Sequence, residues 1–226
     1  MRSADKKLIA NGFVWTDGAF RLANIVVDGR SITALVAPGA AKDPYLETID
    51  ATGCAVLPPF FNGHVHSSST LFRGTENSYP LELWSLWTVC YGRGATAASI
   101  RASLRLTAVE MIRGGIGGYL DHFPAAAFMD EAAEVHRQSG MRIGFAPFFA
   151  DLRDEDTLDM RLDRALLDEH TRIQMSDYDT LHSRTERLAA MRSACITPLL
   201  GPNAPQRCSP ALLDLWSELA TRHDLG

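Results

Sequence analysis

Short apolar runs broken by turn residues fill the first 57 positions of the chain. Leu8-Ile9-Ala10 meets Asn11-Gly12, and Phe13-Val14-Trp15 meets Asp17-Gly18. The run from Asn24 to Val27 meets Asp28-Gly29, and that from Ser31 to Val36 stops at Pro38-Gly39. Asn-Gly and Asp-Gly between apolar runs are strong hairpin signals, because these residues accept positive φ. No helical period interrupts them. The pattern predicts five or six short strands with tight hairpins, forming a small β-sandwich-like domain over residues 1–57.

After Pro58-Pro59 the pattern changes, and strand-like runs alternate with amphipathic helical stretches. Phe60 to His66 reads as a strand. Thr96 to Arg113 reads as a helix, with Ile100, Leu104, Ala108, Met111 and Ile112 at three- and four-residue spacing and Gly114 as its stop. Strands are expected at Ile116 to Asp121, Met141 to Pro147 and Ile196 to Leu200, with a helix from Ala125 to Ser139 ended by Gly140. Asp151 to Arg172 is dense in charge of both signs and reads as a solvated helix, followed by another from Ser176 to Arg192. Ser209-Pro210 places an N-cap serine before a proline at the first helical position, opening a helix to about His223 with Gly226 where a C-cap belongs. The expected class is α/β, with about four strand–helix units on a parallel sheet over residues 58–226. A closed (β/α)₈ barrel needs eight units and about 250 residues, so a complementing C-terminal half or self-association into a homo-oligomer is expected.

Composition narrows the functional classes. The net charge is −5, from 22 basic and 27 acidic residues, which argues against nucleic acid or an anionic membrane as partner. No basic-then-apolar leader opens the chain, and no apolar run approaches the roughly 20 residues of a membrane span. Cys54, Cys90, Cys195 and Cys208 form no C-x-x-C pair and read as reduced cysteines of a cytoplasmic protein.

The sharpest chemical feature is Gly63-His64-Val65-His66 at the end of the first strand of the α/β region. Residues two apart on a strand share a face, so both imidazoles project together, and at the C-terminal mouth of a parallel sheet they face a common centre. Two neutral imidazoles suit Zn²⁺, with Fe²⁺ as the alternative. Two histidines in a polar loop would show the same spacing, so the pair alone leaves both readings open.

The surrounding motifs weigh further. The segment from Asp50-Ala51-Thr52-Gly53 through Val56-Leu57-Pro58-Pro59-Phe60 to His64-Val65-His66 resembles the junction of the amidohydrolase superfamily. There a small β-domain leads through D-A-x-G-x-x-V-x-P-G-F-x-x-x-H-x-H into a TIM-like barrel. Leu71-Phe72-Arg73-Gly74, Pro80-Leu81-Glu82-Leu83-Trp84, Glu110 to Gly115 with Asp121-His122, and Gly201 to Ser209 resemble its deaminase and chlorohydrolase branch, which includes cytosine, guanine and S-adenosylhomocysteine deaminases. Pro59 stands where a glycine is usual. Gly114 to Gly118 is unusually glycine-rich, which is expected to loosen the second strand.

The resemblance implies the N-terminal part of a TIM-like (β/α)₈ barrel and a metal-dependent hydrolase of C–N bonds, deaminating a small nitrogen heterocycle. It carries over His64 and His66 as metal ligands. The family's later histidines and aspartate, from its fifth, sixth and eighth strands, have no counterpart in residues 1–226, so the chain is expected to be inactive alone. A chlorohydrolase or cyclic amidase, and a non-catalytic half-barrel binding module, are the rival readings. Trp84, His122, Asn203, Gln206 and Arg207 are candidate substrate contacts, Trp84 as an aromatic wall. His136, His170, His182 and His223 fall on expected helices and read as solvent-exposed.

Overall fold

The computed structural model describes residues 6–40, 47–75, 78–80, 83–84, 87–88, 92, 94–152, 178–204 and 207–226. The chain divides into two compact units, Met1–Pro59 and Phe60–Gly226.

In the first unit, β1 (Lys6–Thr16), β2 (Ala19–Asp28), β3 (Ser31–Val36), β4 (Glu47–Asp50) and β5 (Ala55–Val56) form one sheet. Its order is β3-β2-β1-β4, with β5 also beside β1. Hairpins join β1 to β2 and β2 to β3, whereas β4 and β5 run parallel to β1. Asp17 and Gly18 turn as expected, with φ of 51° and 76°. Asn11-Gly12 does not. Asn11 adopts φ 61° inside a continuous strand, the register slips between Ile9 and Gly12, and the Asn11 amide donates to Asn24 Oδ1 at 2.8 Å. The tolerance of positive φ that suits a turn here serves a β-bulge. A Cβ on Gly12 would lie 2.6 Å from Val56 Cγ2, so glycine is what lets β5 approach. The described strands make a single mixed sheet, in which the bulge fuses two short runs into one long strand.

The second unit contains β6 (Phe60–Val65), a 3₁₀ turn at Ser67–Phe72, α1 (Ala97–Arg113), β7 (Ile116–Phe123), a 3₁₀ turn at Ala126–Phe128 and α2 (Met129–Ser139). It continues with β8 (Arg142–Phe149), α3 (Tyr178–Ala189), β9 (Ile196–Pro198), β10 (Gly201–Pro202) and α4 (Pro210–His223). Strands β6, β7 and β8 are parallel neighbours, and β9 and β10 together occupy the fourth place along the far edge of β8. The fourth strand is split because the Leu200 amide turns away from β8 to donate to Gly226 O at 2.8 Å, one residue after Leu199 N donates to Phe145 O. The elements follow the sequence pattern for local reasons. Thr96 and Ser99 form a capping box on α1, Gly140 ends α2 at φ 69°, and Ser209 Oγ accepts from Leu212 N at 3.1 Å with Pro210 opening α4. The last helix is capped by Asp224 at φ 52°, not by Gly226.

The charged stretch expected as a helix over 151–172 falls almost wholly outside the described residues. The glycine run enters β7, where the register against β6 shifts between Phe60 and Phe61. A Cβ on Gly118 would meet Arg142 O at 2.4 Å and the Phe61 ring at 3.0 Å, so its absence lets β6 and β8 close in from either side.

Alternation along β7 and β8 sorts the two faces of the sheet. Tyr119, Asp121 and Phe123, with Ile143, Phe145 and Phe149, are buried against the helices. There they pack with Leu104 of α1, Ala132 and Val135 of α2, Leu181 and Leu188 of α3, and Leu212 and Leu219 of α4. Each fully buried side chain of this kind is worth about 1.5–3 kcal/mol. Leu120, His122, Ala146 and Phe148 alternate with these residues and point to the other face. Among the described residues no helix is long and apolar enough to cross a membrane.

Candidate metal centre

Strand β6 ends one residue before His66, so His64 and His66 leave the same face at its C-terminal tip. The His64 amide donates to Asn62 Oδ1 at 3.1 Å, which steadies the backbone between them. The two Nε2 atoms lie 3.1 Å apart and the ring centroids 4.7 Å apart. His66 Nδ1 lies 2.5 Å from the main-chain carbonyl of His122, which only accepts, so Nδ1 carries the proton and the Nε2 lone pair faces His64 Nε2.

His122, on β7, completes the group. One ligand atom from each of His64, His66 and His122 lies within 4.8 Å of the others. The His122 ring lies against Phe148, with centroids 3.8 Å apart and planes inclined at 52°, and is hydrogen-bonded to the backbone of Pro202 on β10. Proline has no N–H, so the imidazole donates and the Pro202 carbonyl accepts. Burial, and then the neighbouring His66 and His64, push the His122 pKa down to about 4. At neutral pH its remaining nitrogen is an uncharged acceptor.

These residues fit a divalent metal. Two nitrogens on one tetrahedral zinc, at bonds of about 2.05 Å, stand roughly 3.3 Å apart, close to the separation of the His64 and His66 Nε2 atoms. A ring N–H held by a backbone carbonyl is the usual outer support of a ligating histidine, and His66 has it.

Behind the histidines lies a buried polar network. Asp121 Oδ1 accepts from Ser67 N at 3.0 Å, and Oδ2 accepts from Ser67 Oγ at 2.5 Å and from His136 Nε2 at 3.0 Å. Ser103 Oγ and Thr107 Oγ1 of α1 donate to Ser67 O at 2.7 and 3.2 Å. Tyr119 Oη lies 3.4 Å from His136 Nδ1, and burial, then Asp121, raises the phenol's pKa so that it stays a donor.

His136 thus departs from expectation: it is 1% exposed. With Met129, Ala132 and Ala133 it falls on the buried stripe of α2, at the helical spacing that the sequence already displays. His182 and His223 are half-buried, the former beside Glu186 and Arg222, and His170 lies outside the described residues. Of the candidate substrate contacts among the described residues, His122 is the one that joins the histidine pair. Asn203 follows Pro202, the acceptor of the His122 bond, and its amide donates to Phe149 O at 3.1 Å. Arg207 is half-buried, and its carbonyl accepts from Asp151 N and Leu152 N, both at 3.1 Å. Trp84 is 40% exposed, with its amide bonded to Pro80 O. Gln206 lies outside the described residues.

Residues 55–226 match the model of the amidohydrolase family. The chain belongs to that family. It is 30% identical over 213 residues to a 5-methylthioadenosine/S-adenosylhomocysteine deaminase of Archaeoglobus fulgidus, covering 93% of this chain and 45% of that protein. The chain therefore spans about half the length of such relatives. Among solved structures it is similar to a triazine hydrolase of Arthrobacter aurescens, at TM-score 0.81 and 19% identity, over 97% of this chain and 51% of the other. A zinc-bound adenosine deaminase of Xanthomonas campestris superposes at TM-score 0.71 and 22% identity, over 96% and 47% of the two chains. At these identities the structural likeness speaks for the fold.

Proposed function

We infer that this amidohydrolase chain supplies the first strands of a TIM-like barrel and the first ligands of a metal-dependent deaminase, whose substrate is a small nitrogen heterocycle of the substituted-adenosine class. One observation carries the reading: two Nε2 atoms 3.1 Å apart at a strand tip, one of them with its ring N–H already committed to a carbonyl. His64 and His66 hold the metal; imidazole suits zinc and iron alike, and zinc is preferred because a structural neighbour, the Xanthomonas campestris deaminase, carries it. When bound, zinc would lower the pKa of water toward neutrality, so that the water could give hydroxide to the ring carbon bearing the amino group and its proton to the departing nitrogen, a C–O bond replacing C–N as ammonia leaves.

His122 serves the substrate and not the metal. Its nitrogen sits within the looser 4.8 Å group, and its neutral acceptor suits an exocyclic amino or ring N–H. Trp84 is assigned to the flat face of the heterocycle, and Asn203, Gln206 and Arg207 to its polar substituents. The substrate class is favoured by the deaminase relative from Archaeoglobus.

The test is metal content and ammonia release from 5′-deoxyadenosine, 5-methylthioadenosine and S-adenosylhomocysteine, with chloride release from a chlorotriazine in parallel. Bound zinc that disappears in His64→Ala is the expected result, with ammonia from an adenosine derivative once the chain is joined to the half that carries the family's remaining ligands. A metal-free protein, or unchanged zinc in His64→Ala, would sink it.

A further inference from the structure

The polar network on the helix side of the sheet has no part in ligand or substrate binding, yet it ends on the peptide next to a ligand. We propose that Asp121, backed by His136 and Tyr119, is a positioning device that sets the orientation of the His66 ring. The inference rests on the metal reading above for its consequence, but not for its own test.

Three observations carry it. First, Asp121 and Ser67 are both fully buried, and Asp121 takes both the amide and the hydroxyl of Ser67, the residue that follows His66. With Ser103 and Thr107 on its carbonyl, every polar group of Ser67 is held. The backbone leaving His66 therefore has little freedom. Second, the strand holding this turn from behind also holds the ring in front, since Asp121 and His122 are consecutive on β7 and the His122 carbonyl accepts from His66 Nδ1. Any shift of β7 at Asp121 is felt by the His66 ring. Third, one arrangement of protons satisfies the whole chain: Tyr119 O–H to His136 Nδ1, His136 Nε2–H to Asp121, and Ser67 N–H and O–H to Asp121. A buried carboxylate with three donors is fixed in place, and one that loses a donor relaxes.

The experiment uses the 226-residue chain with ¹⁵N-labelled histidines. In the metal-free protein, long-range ¹H–¹⁵N spectra report the tautomer of each ring, and wild-type His66 is expected wholly in the Nδ1–H form. Ser67→Ala removes one donor with little change of volume, His136→Leu removes another, and His136→Gln restores an N–H donor at the site of Nε2. The first two are expected to give a mixed His66 tautomer and Co²⁺ binding weaker by about 10- to 100-fold, with an altered visible spectrum. His136→Gln is expected to recover both. A His66 tautomer unchanged in Ser67→Ala overturns the proposal, even if His136→Leu fails to fold. Should the tautomer respond while wild type binds no Co²⁺, the positioning role stands and the metal assignment falls.

Discussion

The His66 ring donates from Nδ1 to the main-chain carbonyl of His122, 2.5 Å away on the neighbouring parallel strand. This bond ties the first two strands of the second unit together at their C-terminal tips. It also selects the tautomer whose Nε2 meets that of His64. Strand pairing and the geometry of the two imidazoles are thus one structural fact, and the consequences for metal, pH and stability can be measured.

Removing either ring should abolish the site. His64→Ala and His66→Ala are expected to reduce bound zinc from about one ion per chain to background, with the fold retained, since one remaining imidazole does not anchor a structural or catalytic ion. Plasma emission on dialysed protein, with circular dichroism as the control for folding, checks this.

Acidification should destabilise the protein through His122. The ring titrates at 6.5 when unperturbed and at about 4 in the fold, so between those values the unfolded chain takes up a proton that the folded chain refuses. Stability is then fully present above pH 6.5 and is lost as the pH falls toward 4. Because His64, His66 and Asp121 stand around the ring, the comparison is made against His122→Asn. Urea midpoints measured from pH 7.5 to 4.5 should fall more steeply in wild type than in that variant.

Adding one methyl group at Gly118 should cost more than a surface substitution. The new Cβ would lie 2.4 Å from the Arg142 carbonyl and 3.0 Å from the Phe61 ring, and backbone on the adjacent strand yields little. Gly118→Ala is expected to destabilise by about 1–3 kcal/mol or more, read from urea unfolding. Gly18→Ala, in open space at φ 76°, is the comparison that isolates backbone strain from crowding.

The open sheet edge should drive association. Phe60 and Phe61 on β6 are 64% and 60% exposed, and among the described residues β6 is paired only with β7. Unpaired strands with apolar side chains recruit other chains. Sedimentation velocity should show concentration-dependent self-association, reduced by Phe60→Lys. A monomer at all concentrations, in wild type, would contradict this.

How much of this was legible beforehand differs by element. The α/β alternation after Pro59, the caps at Thr96, Gly140 and Ser209, and the pairing of His64 with His66 on one face all follow from local rules. The Asn11-Gly12 pair was ambiguous, because positive φ serves a turn and a bulge equally, and only pairing with β2 distinguishes them. His136 carried a readable signal in its place on the apolar stripe of α2. Its partner did not, since Asp121 is fifteen residues away on another element.

The sequence by itself determined the chemistry at one strand tip: a period of two places His64 and His66 side by side wherever that strand lies. Only the tertiary structure decided that His122 joins them, that its carbonyl fixes the tautomer of His66, and that Asp121 grips Ser67 from behind. These contacts join residues more than fifty positions apart, through the register of parallel strands. Parallel register is set by packing between sheet and helices, a property of the assembled fold that no short stretch of chain contains.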